Sequence, residues 1–224
     1  MDGLPAQVWA WFADPQNWAG PDGVPARAAE HVGLTAAAVG LACLLAVPLG
    51  LWLGHTGRGG TLAINVTNVG RAVPTFAVLV ILALGPLGLS IWSTLVALVL
   101  FAVPPILTNT YVGVAEVDPD ARAAAVGMGM SGRQVLARVE LPLATPLLVA
   151  GVQLATIQVI ATATIAALVA GPGLGRIITA GFGLQDEAQV VAGALLVAGL
   201  ALVADLAFVR MSSRARRGRV PAVE

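Results

Sequence analysis

The chain has 224 residues, 58% of them apolar and 11% charged, with a mean hydropathy of +0.87, a balance outside the range of soluble domains. Its formal net charge is zero, which implies no bulk attraction to nucleic acid, and all 12 basic residues are arginine. The absence of lysine excludes a P-loop nucleotide site and a Schiff-base nucleophile, and the single Cys43 excludes an internal disulfide.

Residues 1–30 form an arm that starts acidic and is interrupted by Pro5 and Pro15, unlike the basic start and apolar core of a secretory signal. Trp9, Trp11, Phe12 and Trp18 give it the character of a short interfacial helix at the headgroup level. A cation-π cage for a ligand is the competing reading of the same aromatics.

Apolar runs long enough to cross a bilayer follow, since a span needs roughly 20 such residues. The first covers 33–53 and ends near His55 and Arg58. The second covers 62–84, with Pro74 marking a kink or a break, and carries Asn65, Thr67, Asn68, Arg71 and Thr75. The third covers 89–110, bent by Pro104 and Pro105, and carries Ser93, Thr94, Thr108 and Asn109. A polar insert at 117–143 comes next. The fourth span, 145–169, carries Gln153, Thr156, Gln158, Thr162 and Thr164. A glycine-rich loop, 171–187, leads to the fifth span, and its part 171–176 reads as a turn or as an external gate or binding-protein contact. The fifth span, 188–209, precedes a basic tail at 211–224. The expected fold is an all-α, polytopic helical bundle of five crossings, its membrane domain filling 31–210.

Arginine placement sets the expected orientation. With the insert inside, Arg58, Arg122, Arg133, Arg138, Arg210, Arg214, Arg216, Arg217 and Arg219 are cytoplasmic, against Arg27 and Arg176 outside and Arg71 within the second span. The N-terminus then lies outside and the C-terminus inside. Arg71 is expected to snorkel to the inner surface or to pair with Glu116 or Asp118. Asp205 is expected to reach the interface near Arg210. The tail suits an anchor on anionic lipid.

The insert reads VDPDARAAAVGMGMSGRQVLARVELPLATP over 117–146. Asp118-Pro119-Asp120 is a helix-start signal, and the alanine-rich run after it favours helix. Gly127 and Gly129 allow a tight bend. Ser131 is placed to cap a second helix that Pro142 is expected to stop, with Arg133, Ala137 and Glu140 near one face and Val135, Leu136 and Val139 on another. A hairpin of this kind has one side for the membrane bundle and one for a partner.

This insert resembles the cytoplasmic loop of the permeases of binding-protein-dependent ABC importers. Their signature is Glu-Ala-Ala, three residues, Gly, nine residues, an aliphatic residue, any residue, then Leu-Pro. Here the alanines are Ala124 and Ala125, the glycine Gly129, the aliphatic residue Val139 and the end Leu141-Pro142, while Ala123 stands where the family has an acidic residue. The text is most similar to the glycine betaine/carnitine/choline branch, through VPTFAVL at 73–79, VPPILTNTYVGV with VDPD over 103–120, GMGMSGRQVLARVELPLATPLLVAGV over 127–152 and ATATIAALVAGPGLG over 161–175.

The resemblance implies a type I permease core in the plasma membrane. It implies a second permease subunit, identical or paralogous, a cytoplasmic ATPase dimer that binds the ATP, and an external substrate-binding protein. It also implies that the ATPase docks on the loop, through its shape and through Arg122, Arg133 or Glu140. The chain itself would then carry no cofactor, no metal and no catalytic residue.

Intramembrane polar groups face partners or a water-filled path. Asn68, Thr75, Asn109, Gln158 and Thr162 are candidates for the path lining, and interhelical hydrogen bonding accounts for them equally well. Another solute, such as methionine, suits the same architecture. A stand-alone ion-coupled carrier would show carboxylates inside the spans or an inverted repeat, and only Asp205 qualifies. His31 and His55 lie at opposite ends of the first span, and no nucleophile–base cluster appears.

Overall fold

The computed structural model describes residues 3–58, 60, 65, 73–169 and 171–217; Thr67, Asn68 and Arg71 lie outside this set. The arm folds as α1, Leu4–Ala13, with proline in its first turn. A 3₁₀ turn, Pro15–Trp18, follows, its first N–H groups met by Asp14, which accepts from Gln16 N at 2.9 Å. Asn17 and Trp18 donate side-chain hydrogen bonds back to the Trp11 and Phe12 carbonyls, which closes the arm on itself.

Four described helices are long and apolar enough to cross a membrane: α2, Val24–Thr56; α4, Ile91–Ala115; α6, Gly132–Val169; and α8, Glu187–Arg217, whose apolar stretch is Glu187–Ser212. Of the second expected span, the described part is α3, Thr75–Leu84, ten residues beginning directly after Pro74. The short helix α5, Pro119–Gly127, sits in the insert, and α7, Gly175–Leu184, lies between α6 and α8. The chain is a helical membrane bundle.

Two local expectations fail. Pro142 does not end the insert's second helix. Instead α6 runs on through it, because a π-turn at Leu136–Glu140 widens the helix immediately before the proline. A wider turn removes the clash between a proline ring and the carbonyl four residues back, which otherwise breaks a helix. The segment 171–187 is also not a plain loop. It holds α7, and its Gly181 serves packing: a Cβ there would lie 2.9 Å from Val190 N, while one on Gly193 of α8 would lie 2.7 Å from Ile178, so α7 and α8 approach backbone to backbone.

The residues fall into two units. The first comprises Met1–Val39, Val73–Val99 and Thr156–Ala204. Its apolar clusters are Leu79, Ala97 and Ala166; Val24, Leu174 and Ile177; and Val8, Ala188 and Ala192, the last covered by Trp11 and Phe12. The Gly171–Gly175 turn is held inside this unit by Glu30, which accepts from Gly173 N at 3.0 Å, and by buried His31, whose Nε2 lies 3.1 Å from the Ile160 carbonyl.

The second unit comprises Gly40–Ala72, Leu100–Ala155 and Asp205–Glu224. Small residues let its helices meet closely, the usual device where lipid supplies no hydrophobic drive between helices. Gly50 and Gly54, one turn apart on α2, face Thr110 and Val114 of α4 at distances of 2.8 and 2.6 Å from a built Cβ. On the other side of α4, Gly151 of α6 faces Asn109 and the Pro105 carbonyl. Asn109 donates to that same carbonyl at 2.8 Å, which helps α4 stay helical past its two prolines.

Candidate coupling site

The insert is ordered by its own termini. Asp118 caps α5, accepting from Asp120 N at 2.9 Å, with Pro119 in the first turn. At the other end Met130 N donates to Ala125 O and Gly129 N to Val126 O, the paired bonds of a Schellman stop. Gly129 supplies the left-handed residue this stop needs, with φ +82. Gly127 is the last residue of α5 and has no positive φ, so the bend rests on Gly129 alone. Ser131 then starts α6, its N–H donating to Gln134 Oε1 at 2.8 Å, which is half of a capping box.

The two faces of this helix–turn–helix differ in chemistry. Val117, Ala125, Val135 and Glu140 are buried. Ala123, Ala124, Val126, Gly127, Met128, Gly129, Arg133 and Arg138 are exposed, and Val139, Leu141 and Pro142 are half-buried. Uniform helical spacing groups Glu140 with Arg133. The i→i+5 bonding of the π-turn instead brings residues five apart over one another, so Glu140 follows Val135 to the inner face.

A carboxylate that is 1% exposed needs partners, because an unpaired buried charge costs several kcal/mol. Glu140 has two. His55 Nδ1 lies 2.6 Å from Oε2, and Arg122 Nε lies 2.9 Å from Oε1. The second contact is an ion pair in distance only, since the Arg122 Nε–H is not aimed at the oxygen. Arg122 also donates through Nη2 to the Val114 carbonyl near the end of α4. From the sequence, Arg122 and Glu140 are expected to meet the ATPase, whereas here they face each other inside the chain, and His55, on sequence only an end of the first span, joins them.

Within the spans, Thr75 and Asn109 are half-buried, Gln158 is exposed and Thr162 is buried, so Gln158 and Thr162 face different surroundings although one turn apart on α6. Asp205 is not turned only toward the interface: Gln153 Nε2 donates to its Oδ1 at 2.6 Å. An open cleft of about 470 Å³ between the arm and α7 is lined by Trp11, Asp22, Arg27, Arg176 and Gln189 among others. Its guanidiniums are engaged, Arg27 with Asp22 and Glu30 and Arg176 with the Gly171 carbonyl. Among the described residues no group of His, Cys, Asp and Glu is arranged to hold a metal ion.

Residues 46–217 match the family described as the binding-protein-dependent transport system inner membrane component. The chain belongs to this family. The matched region contains the whole insert, and His55 with it. Relatives of this permease include the glycine betaine/carnitine/choline transport system permease protein OpuCB of Bacillus subtilis (strain 168), 35% identical over 75% of this chain and 77% of the relative. The choline transport system permease protein OpuBB of the same organism is 36% identical over 74% and 76%. The osmoprotectant import permease protein OsmW of Salmonella typhimurium is 31% identical over 75% and 80%. The fold is that of a chain in an inward-facing structure of the MetNI methionine ABC transporter, with a TM-score of 0.72 at 20% identity over 83% of this permease and 93% of that chain. This permease is thus a multi-pass membrane component of an ABC importer.

Proposed function

We propose that this permease moves osmoprotectants of the glycine betaine, choline and carnitine type across the plasma membrane, driven by a separate ATPase dimer that docks on residues 117–143. A second permease subunit completes the path, and an external binding protein delivers the solute. The N-terminus lies outside and the C-terminus in the cytoplasm. Of the described path candidates, Thr75, Asn109 and Gln158 line the path, and Thr162 packs behind it. The substrate class rests on the printed activities of OpuCB, OpuBB and OsmW.

One observation carries the docking site. The outer face of the insert exposes Val126 at 60% and Met128 at 71%, on a segment whose caps and buried carboxylate hold it in one shape. Structured apolar surface projecting beyond the membrane marks an interaction site. A partner that hydrolyses nucleotide supplies the lysine chemistry this sequence lacks. Ala123 leaves that face without the family's acidic contact, so shape and Arg133 carry the docking.

The test is expression of the tagged chain with its companion subunits in cells lacking betaine uptake. Co-purification of an ATPase, and uptake of labelled glycine betaine that stops on ATP depletion and is competed by choline or carnitine, are the expected results. Uptake competed only by methionine would overturn the substrate class. Solute concentration by vesicles holding this chain alone would overturn the mechanism.

A further inference from the structure

His55 lies in the last turn of α2, outside the loop signature, yet it is the side chain that ties α2 to the insert. Its Nδ1 is 2.6 Å from Glu140 Oε2, a short distance typical of a charge-assisted hydrogen bond. Its Nε2 side lies against Gly132, where a built Cβ would be 3.3 Å away. The ring therefore spans from the first residue of α6 to the π-turn. From the other side Arg122 joins the same carboxylate to α5 and, through the Val114 carbonyl, to the end of α4. Three helices thus converge on one buried carboxylate.

We infer that His55 and Arg122 are positioning residues that clamp Glu140, so that the insert and the end of α2 move as one body when the ATPase engages. The inference rests on the proposed function for its partner, but the clamp itself is a property of this chain. An ionised carboxylate can only accept, so in this contact Nδ1–H is the donor. The weaker alignment of Arg122 makes His55 the stronger of the two ties. Without it the buried carboxylate is left underpaired, and the π-turn is the segment that loosens.

The full chain is placed in lipid nanodiscs, alone and in complex with its ATPase, and amide hydrogen exchange is followed over residues 133–140. In His55→Leu, exchange there is expected to rise about tenfold, the scale of one hydrogen bond to a charged group. With the complex reconstituted in sealed proteoliposomes instead, the ATP hydrolysed per betaine transported rises with it. His55→Asn keeps a neutral N–H near the Nδ1 position and brings both readings back within about twofold of wild type. His55→Leu with Glu140→Leu returns exchange toward wild type, since the fully buried carboxylate is gone and the partly exposed Arg122 keeps its bond to the Val114 carbonyl.

Wild-type exchange in His55→Leu would overturn the inference, as would an Asn variant that behaves like Leu, or a double variant that exchanges faster than the single one. Faster exchange with an unchanged ATP-to-solute ratio would reduce His55 to a structural role and overturn the positioning claim. A wild-type complex that takes up no betaine would instead sink the proposed function, while the exchange comparison still reads the clamp.

Discussion

Replacing Gly129 by alanine isolates the turn between α5 and α6. Gly129 has φ +82, and a Cβ built there meets nothing within 4 Å. The penalty is therefore backbone strain, with no steric clash inside this chain. An L-residue in the left-handed region costs roughly 1–2 kcal/mol, which raises the open population of the turn about 5–30-fold. Gly127 is the internal control. It also meets open space, but it sits in α5 without positive φ, so Gly127→Ala favours the helix by up to about 1 kcal/mol.

The assay is limited trypsin digestion of the full-length chain in nanodiscs, with cleavage after the exposed Arg133 read by mass. When opening is fast relative to cleavage, the cleavage rate follows the open population. Gly129→Ala should be cut about 5–30-fold faster than wild type. Gly129→Asn should fall between them, because Asn tolerates this region better. Gly127→Ala should be cut no faster than wild type. Equal rates for the two alanine variants would refute the assignment of the bend to Gly129.

Four other substitutions probe other parts of the molecule. Gly151→Ala puts a Cβ 2.7 Å from Asn109 Cβ and 3.0 Å from the Pro105 carbonyl; backbone cannot yield as a side chain does, so a loss of about 1–3 kcal/mol should appear as a lower unfolding midpoint in detergent. Gln153→Leu removes the donor to Asp205 and should cost about 1–2 kcal/mol, read from the same midpoint, whereas Asp205→Asn, which still accepts a hydrogen bond, should cost less. Ala123→Glu restores a carboxylate on the exposed face of α5 and should increase the amount of ATPase that co-purifies; an unchanged or smaller yield would argue that this face is not the contact.

What could be read in the sequence was what local physics decides. The long apolar runs gave the membrane helices, Asp118 and Ser131 marked the helix starts in the insert, and Gly129 marked its turn. The misses share a different cause. Pro142 argues for a stop only while the preceding turn is regular, and the π-turn at Leu136–Glu140 changes that premise. The glycines of 171–187 argue for a loop until Val190 is known to press against Gly181, as Ile178 does against Gly193 of α8, which turns flexibility into close packing. The ties of His55 to Glu140 and of Gln153 to Asp205 join residues 85 and 52 positions apart, and no periodicity within one helix reports such a pair. Gln158 and Thr162 are neighbours by spacing, yet one is exposed and the other buried, since a helical face acquires meaning only from what lies against it.

The unbroken α6 has a mechanical corollary. At 1.5 Å per residue its 38 residues reach about 57 Å, nearly twice the roughly 30 Å of hydrocarbon it must traverse. At the tilts usual for membrane helices, up to about 40°, a helix of that length still reaches beyond the hydrocarbon, and where the insert gives way to the span its turn widens without breaking. The polar insert and the span that follows it are therefore successive lengths of one hydrogen-bonded backbone, with no loop between them.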